Sequence, residues 1–142
     1  PHTLFSIFEK GDEEIYKEHG MEEHLLNPYV LMGMVIRGLE NFSLMCTMYE
    51  NNFPNEFKRN KENIRRKYYN RLYSYLTRID SNNFNNLYTI GETFEASRVE
   101  GGLQHLMFFF ESIEEYEKCA VIKKWIEHLI IAKEIKLELD IR

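Results

Sequence analysis

The chain has 142 residues, 44% of them apolar and 14% aromatic, with a formal net charge of −5. That is enough core material for one domain that buries most of its unfolded surface, which excludes a disordered chain. The excess of acid excludes wrapping duplex DNA with the whole surface, so any nucleic-acid contact has to be local.

Seven Gly and three Pro are few breaks for a chain of this length and favour long helices over many short strands. The expected fold class is mostly α. It is a compact bundle of four to five helices in a single domain over residues 1–142, with one short β pairing that involves the C-terminal strand. Residues 1–26 form an acidic N-terminal segment in which Leu4, Phe5, Ile7 and Phe8 mark a short helix or apolar anchor, ended by Gly11. A basic stretch followed by a long apolar run is missing there, so no signal peptide is expected and the location reads as cytoplasmic.

Asn27-Pro28 is a helix start, because Asn caps orphan amides and Pro suits the first turn. The helix expected over residues 28–51 is apolar on nearly every side and is read as the central helix of the bundle. Arg37, Glu40 and the glycines interrupt it too often for a membrane span, and no membrane association is expected. After the break at Asn52-Phe53-Pro54, a basic helix is expected over residues 54–80. Phe57, Ile64, Tyr68, Leu72, Tyr75 and Ile79 form its buried stripe. Residues 81–86 read as a turn, and residues 87–94 leave strand and loop equally open. Residues 95–130 form a helical hairpin. Residues 131–142 are a strand-like tail, because apolar and charged residues alternate from Ile135 onward. Such a strand needs a partner, either residues 87–90 or a second subunit, so a homodimer through the C-terminal segment is one expected assembly.

Charge is distributed unevenly. Residues 54–80 carry eight Lys/Arg against three acids, whereas the remaining residues hold ten Lys/Arg and twenty Asp/Glu. On a helical projection Arg59, Arg66, Tyr69 and Tyr73 fall together opposite the apolar stripe. Lys67, Arg71 and Arg78 flank one edge of the stripe, and Lys58 and Arg65 the other. Guanidinium groups beside exposed tyrosines suit single-stranded nucleic acid, and the same residue types form hot spots in protein interfaces. A third reading pairs these cations with the acidic N-terminal segment, through Glu9, Asp12, Glu13, Glu14, Glu18, Glu22 and Glu23. No RRM, KH, zinc-finger or helix-turn-helix signature is present. A small non-enzymatic protein-binding accessory, adaptor or inhibitor protein is therefore the leading expectation, with a protein partner on the Arg59, Arg66, Tyr69 and Tyr73 face.

Residues 113–129, IEEYEKCAVIKKWIEHL, carry an acidic-Tyr-Glu run at Glu114, Glu115, Tyr116 and Glu117, and a small pair at Cys119-Ala120. Ile122, Lys123, Ile126 and Leu129 follow. This pattern resembles the UVR motif, the short helical hairpin of the UvrB and UvrC repair proteins. Lys123-Lys124 stands where that motif has Arg-Asp, and the preceding Phe108-Phe109-Phe110 is more aromatic. The resemblance implies an element that contacts another protein and carries no catalysis.

Arg98 and His105 lie two helical turns apart on one face. Their spacing is similar to the arginine-to-histidine motif of HEPN-domain ribonucleases. That resemblance implies a ribonuclease in which the pair activates a ribose hydroxyl and steadies phosphate charge. Together with the basic helix face it supplies the alternative function, a single-stranded nucleic-acid-binding protein or HEPN-like ribonuclease. A surface arginine and a packed histidine is the competing account, and Gly101-Gly102 between them is read as a place of close helix packing.

No metal or cofactor is expected. His19 and His24 bracket Glu22-Glu23 without a fourth ligand nearby, and no HExxH, Walker A, GxGxxG or GxSxG pattern occurs. Cys46 and Cys119 have no CxxC partner and are expected as buried free thiols.

Overall fold

The computed structural model describes Gly20 and residues 25–141, the last without its side chain. The apolar anchor over residues 3–10, the acidic side chains of the N-terminal segment, and His19 and His24 lie outside the described residues.

Among the described residues the chain forms five helices and no strand: α1 Pro28–Asn52, α2 Pro54–Thr77, α3 Phe84–Thr93, α4 Ala96–Ser112 and α5 Tyr116–Ile141. The start signals act as their chemistry requires. Asn27 Oδ1 accepts from the Tyr29 amide at 3.1 Å, and Pro28 follows in the first turn. Phe53 is the single residue between α1 and α2, so the two helices fold back on each other at once. Asn83 caps α3, accepting from the amides of Asn85 and Asn86 at 2.9 and 3.4 Å. The turn between α4 and α5 passes through Glu114 at φ 61°, and the Glu115 amide bonds back to the Phe110 carbonyl at 2.9 Å.

The β pairing is a misreading. Residues 84–93 are helical, so the tail has no strand to pair with, and α5 continues through the alternating residues to Ile141. A lone strand would leave its backbone groups unpaired, whereas a helix already nucleated at Tyr116 extends by one bond per residue. Alternation arises because α5 leaves Ile135 and Leu139 exposed on one side and Leu137 on the other, while Lys136 packs between them against Tyr88.

The helices make two regions. In the bundle, the first half of α1 is enclosed by α2, α3 and α4, and α5 packs on α3 and α4. Its core includes Leu31, Met32, Ile36, Leu76, Ile90, Leu103, Leu106, Phe110 and Trp125. Gly102 is the close contact expected, since a Cβ there would stand 2.9 Å from Ile36 Cδ1. The second region is an arm, formed by the far end of α1 and the near end of α2. Tyr49, Phe57 and Ile64 make a separate small core there, flanked by Phe42, Met45, Cys46, Phe53 and Tyr68. The helix read as central is enclosed in its first half, whereas in the arm Leu44 and Met48 are exposed. None of the described helices is long and apolar enough to cross a membrane.

Candidate functional site

The basic face divides when α4 is packed against α2. Arg59 and Arg66 are exposed, together with Lys58, Lys61 and Lys67. Tyr69 is not: its side chain is 2% exposed, stacked on Phe109 at 4.3 Å between centroids. Tyr73 is half-buried, edge-on to Phe110 at 5.4 Å, with Lys118 Nζ 5.5 Å from its ring centre. The face of two arginines and two outward tyrosines is thus corrected to two exposed arginines and two packed tyrosines. Helical phase alone sets Tyr69 and Tyr73 away from the stripe. Phe109 and Phe110, from a distant part of the chain, widen the buried face to include them. On the other edge Arg71 is half-buried, and Arg78 lies over the Tyr75 ring at 5.7 Å.

Arg98 and His105 are each engaged elsewhere. Arg98 forks onto Glu40 of α1: its Nε is 3.2 Å from both carboxylate oxygens, and Nη2 bonds Oε1 as well. The Arg98 hydrogen bond holds the Glu40 carboxyl below its ordinary range. This fork–fork pair ties α4 to α1 at the root of the arm. His105 turns to α2, where its Nε2 is 2.7 Å from the Tyr69 hydroxyl and its ring stacks at 5.8 Å on the Tyr69 ring.

The arginine that shares a groove with His105 is Arg65 of α2. Its guanidinium carbon is 5.1 Å from the Phe109 ring centre and 5.9 Å from that of Tyr69. Burial raises the Tyr69 pKa, and the neighbouring Arg65 charge only partly opposes this, so the phenol keeps its proton. The hydroxyl shares a hydrogen bond with Nε2 of His105, which leaves Nδ1 as the ring's other polar atom. Gln104, Phe108, Phe109, Ser112 and Gly101 complete a groove of about 390 Å³ between α2 and α4. Phe108 is 60% exposed. Gly101 adds no side chain, and a Cβ there would meet nothing within 4 Å.

Sequence reasoning placed Arg65 on the edge of the stripe and left Gln104 and Phe108 aside. One signal pointed to Phe108: three consecutive phenylalanines span about 200° of a helix, so they cannot all face one core.

A second concavity, about 500 Å³, lies where the end of α5 overhangs α3 and the start of α4. Leu87, Ile90, Val99 and Leu129 form its apolar floor, and the Lys136–Glu92 ion pair at 2.8 Å closes one side. Cys46 and Cys119 are free and half-buried. Burial raises both thiols, which disfavours the thiolate. Cys119 Sγ faces the Met107 carbonyl at 3.5 Å, so the small residue of the UVR-like run stands at the α4–α5 crossing. Among the described residues no three His, Cys, Asp or Glu side chains come together as a metal cage.

Comparison with protein-family models, with curated proteins and with solved structures finds no match to this chain.

Proposed function

We propose that the chain is a protein-binding accessory, adaptor or inhibitor protein that acts through the arm. One observation carries this reading. The arm exposes Leu44 and Met48 on α1 and, on the same two-helix projection, Arg59 and Arg66 on α2. Met and Arg are enriched in protein interfaces, where an apolar centre is ringed by polar groups. The partner that fits has an acidic surface around an apolar patch. The UVR-like run in residues 113–129 agrees in kind, since that motif is a protein-contact element. Catalysis draws less support: Arg98 is neutralised by Glu40, and His105 is held by Tyr69.

The test is a pull-down from native-host extract with wild-type protein and an Arg59→Glu/Arg66→Glu double variant. Leu44→Ser serves as a second probe of the arm and Lys123→Ala as a control. A partner retained by wild type and the control, and lost from both arm variants, is the expected outcome. Undiminished retention by the arm variants, with their cooperative melting intact, places the contact elsewhere.

A further inference from the structure

We infer that the α2/α4 groove binds a nucleotide unit, a phosphate ester beside a flat base, with Arg65 and His105 on the phosphate and Phe108 on the base. The inference stands on the groove alone and does not depend on the arm binding a protein.

Charge comes first. The groove is lined by Arg65, Gln104, His105, Ser112, Phe108, Phe109 and Gly101, and no carboxylate is among them. Among the described residues no acidic side chain lines it to repel an anion, although the chain has 23 acidic residues. Arg65 sits with its guanidinium over the Phe109 and Tyr69 rings. One hydrogen bond of Arg65 goes to Tyr69, and a guanidinium has five N–H donors, so the others can take phosphate in a fork. Lys61 is one turn earlier on the same edge of α2 and adds a second positive charge along the approach.

Hydrogen-bonding character comes second. The Tyr69 hydroxyl engages Nε2 of His105, which leaves Nδ1 as the ring atom for a hydrogen bond to a ligand. The ring is braced by stacking on Tyr69, which is itself sandwiched against Phe109. The Gln104 amide offers both a donor and an acceptor, as reading a base edge requires.

Shape comes third. Phe108 is 60% exposed although its two C-terminal neighbours are core residues, so a large flat ring stands at the groove with none of the described residues covering it. Aromatic rings in this position serve as platforms for bases, whatever the base. The missing side chain at Gly101 keeps the floor open, and about 390 Å³ lies within the range of small-ligand pockets. A carboxylate ligand would use Arg65 and His105 but leave the ring idle. A nucleotide unit uses all three.

Two sources supply this chemistry: a free nucleoside monophosphate, or one unit of a single strand. The experiment titrates the whole chain at low salt with inorganic phosphate, adenosine monophosphate and a single-stranded oligonucleotide, following backbone amide shifts. Residues of α2 and α4 around the groove are expected to move with the nucleotide ligands. Phe108→Ala, a change at an exposed position, is expected to weaken nucleotide binding about tenfold and leave the melt unchanged. Arg65→Gln should weaken it at least as much and flatten the salt dependence. Binding of the monophosphate supports a free-nucleotide site, and binding of the oligonucleotide alone supports a strand site. The inference is overturned if none of the ligands shifts groove residues. It is equally overturned if inorganic phosphate binds as well as the nucleotides and Phe108→Ala changes nothing.

Discussion

Helices α1 and α2 run through both regions of the molecule, and the regions differ in what covers them. Residues 31–36 of α1 are all buried, because α2, α3 and α4 pack around them. Between residues 40 and 48 only Phe42, Met45 and Cys46 are drawn inward, where among the described residues it is mainly α2 that meets them. The same division applies to α2. Its later turns give Tyr69, Leu72, Tyr75 and Leu76 to the bundle, whereas its early turns bury only Phe57 and Ile64. Burial here is decided by neighbours more than by the composition of the helix. The thinly covered part of α2 also exposes Lys58, Arg59 and Lys61.

Truncating one core residue from each region breaks the comparison most directly. Leu103→Ala in the bundle is expected to cost about 3 kcal/mol of global stability and to accelerate amide exchange in every helix. Phe57→Ala in the arm should instead speed exchange mainly between residues 43 and 64, with the bundle amides still protected. If Phe57→Ala exposes the bundle equally, the two regions unfold as one unit and the distinction is only geometric.

A smaller effect is expected where the regions join. A Cβ at Gly38 would stand 2.5 Å from Leu72 Cδ2, and Leu72 is buried too well to move aside freely. Gly38→Val should cost about 2 kcal/mol by overpacking, although leaving glycine favours the helix. An unchanged melting temperature would show that α1 and α2 can separate there at no cost.

The smallest effect belongs to the surface pair that ties α4 to α1. The folded-state pKa of Glu40 is lowered by its hydrogen bond to Arg98. The stabilisation it provides is therefore complete above the ordinary glutamate pKa and is lost as pH falls through the lower folded value. Glu40→Gln should reduce the urea midpoint slightly at neutral pH, with the difference from wild type vanishing in acid. A difference that persists in acid would rule out this linkage. Both partners are exposed, so solvent screening keeps the effect small.

Much of the fold is legible along the chain. Asn27-Pro28 and the break at Phe53-Pro54 place the ends of α1 and α2 by local chemistry that packing does not alter. The tail is legible only in part, since a run such as Lys136-Leu137-Glu138-Leu139 fits a strand by alternation and a helix by propensity. Absence of a strand partner decides it. The groove is least legible. Helical phase places Arg65 at the edge of a stripe, but nothing local indicates that Phe109 and His105, some forty residues later, will pack on that edge. Arg98 was the nearer choice in sequence, and Glu40 claims it in space.

Tyr68 sits on the boundary between the regions, its hydroxyl donating to the Gly38 carbonyl at 2.9 Å. With Gly38 directly under Leu72, this makes a fulcrum: two helices clamped side chain to backbone where the arm leaves the bundle. The Arg98–Glu40 tie, two residues further along α1, joins the base of the arm to the helix that carries His105.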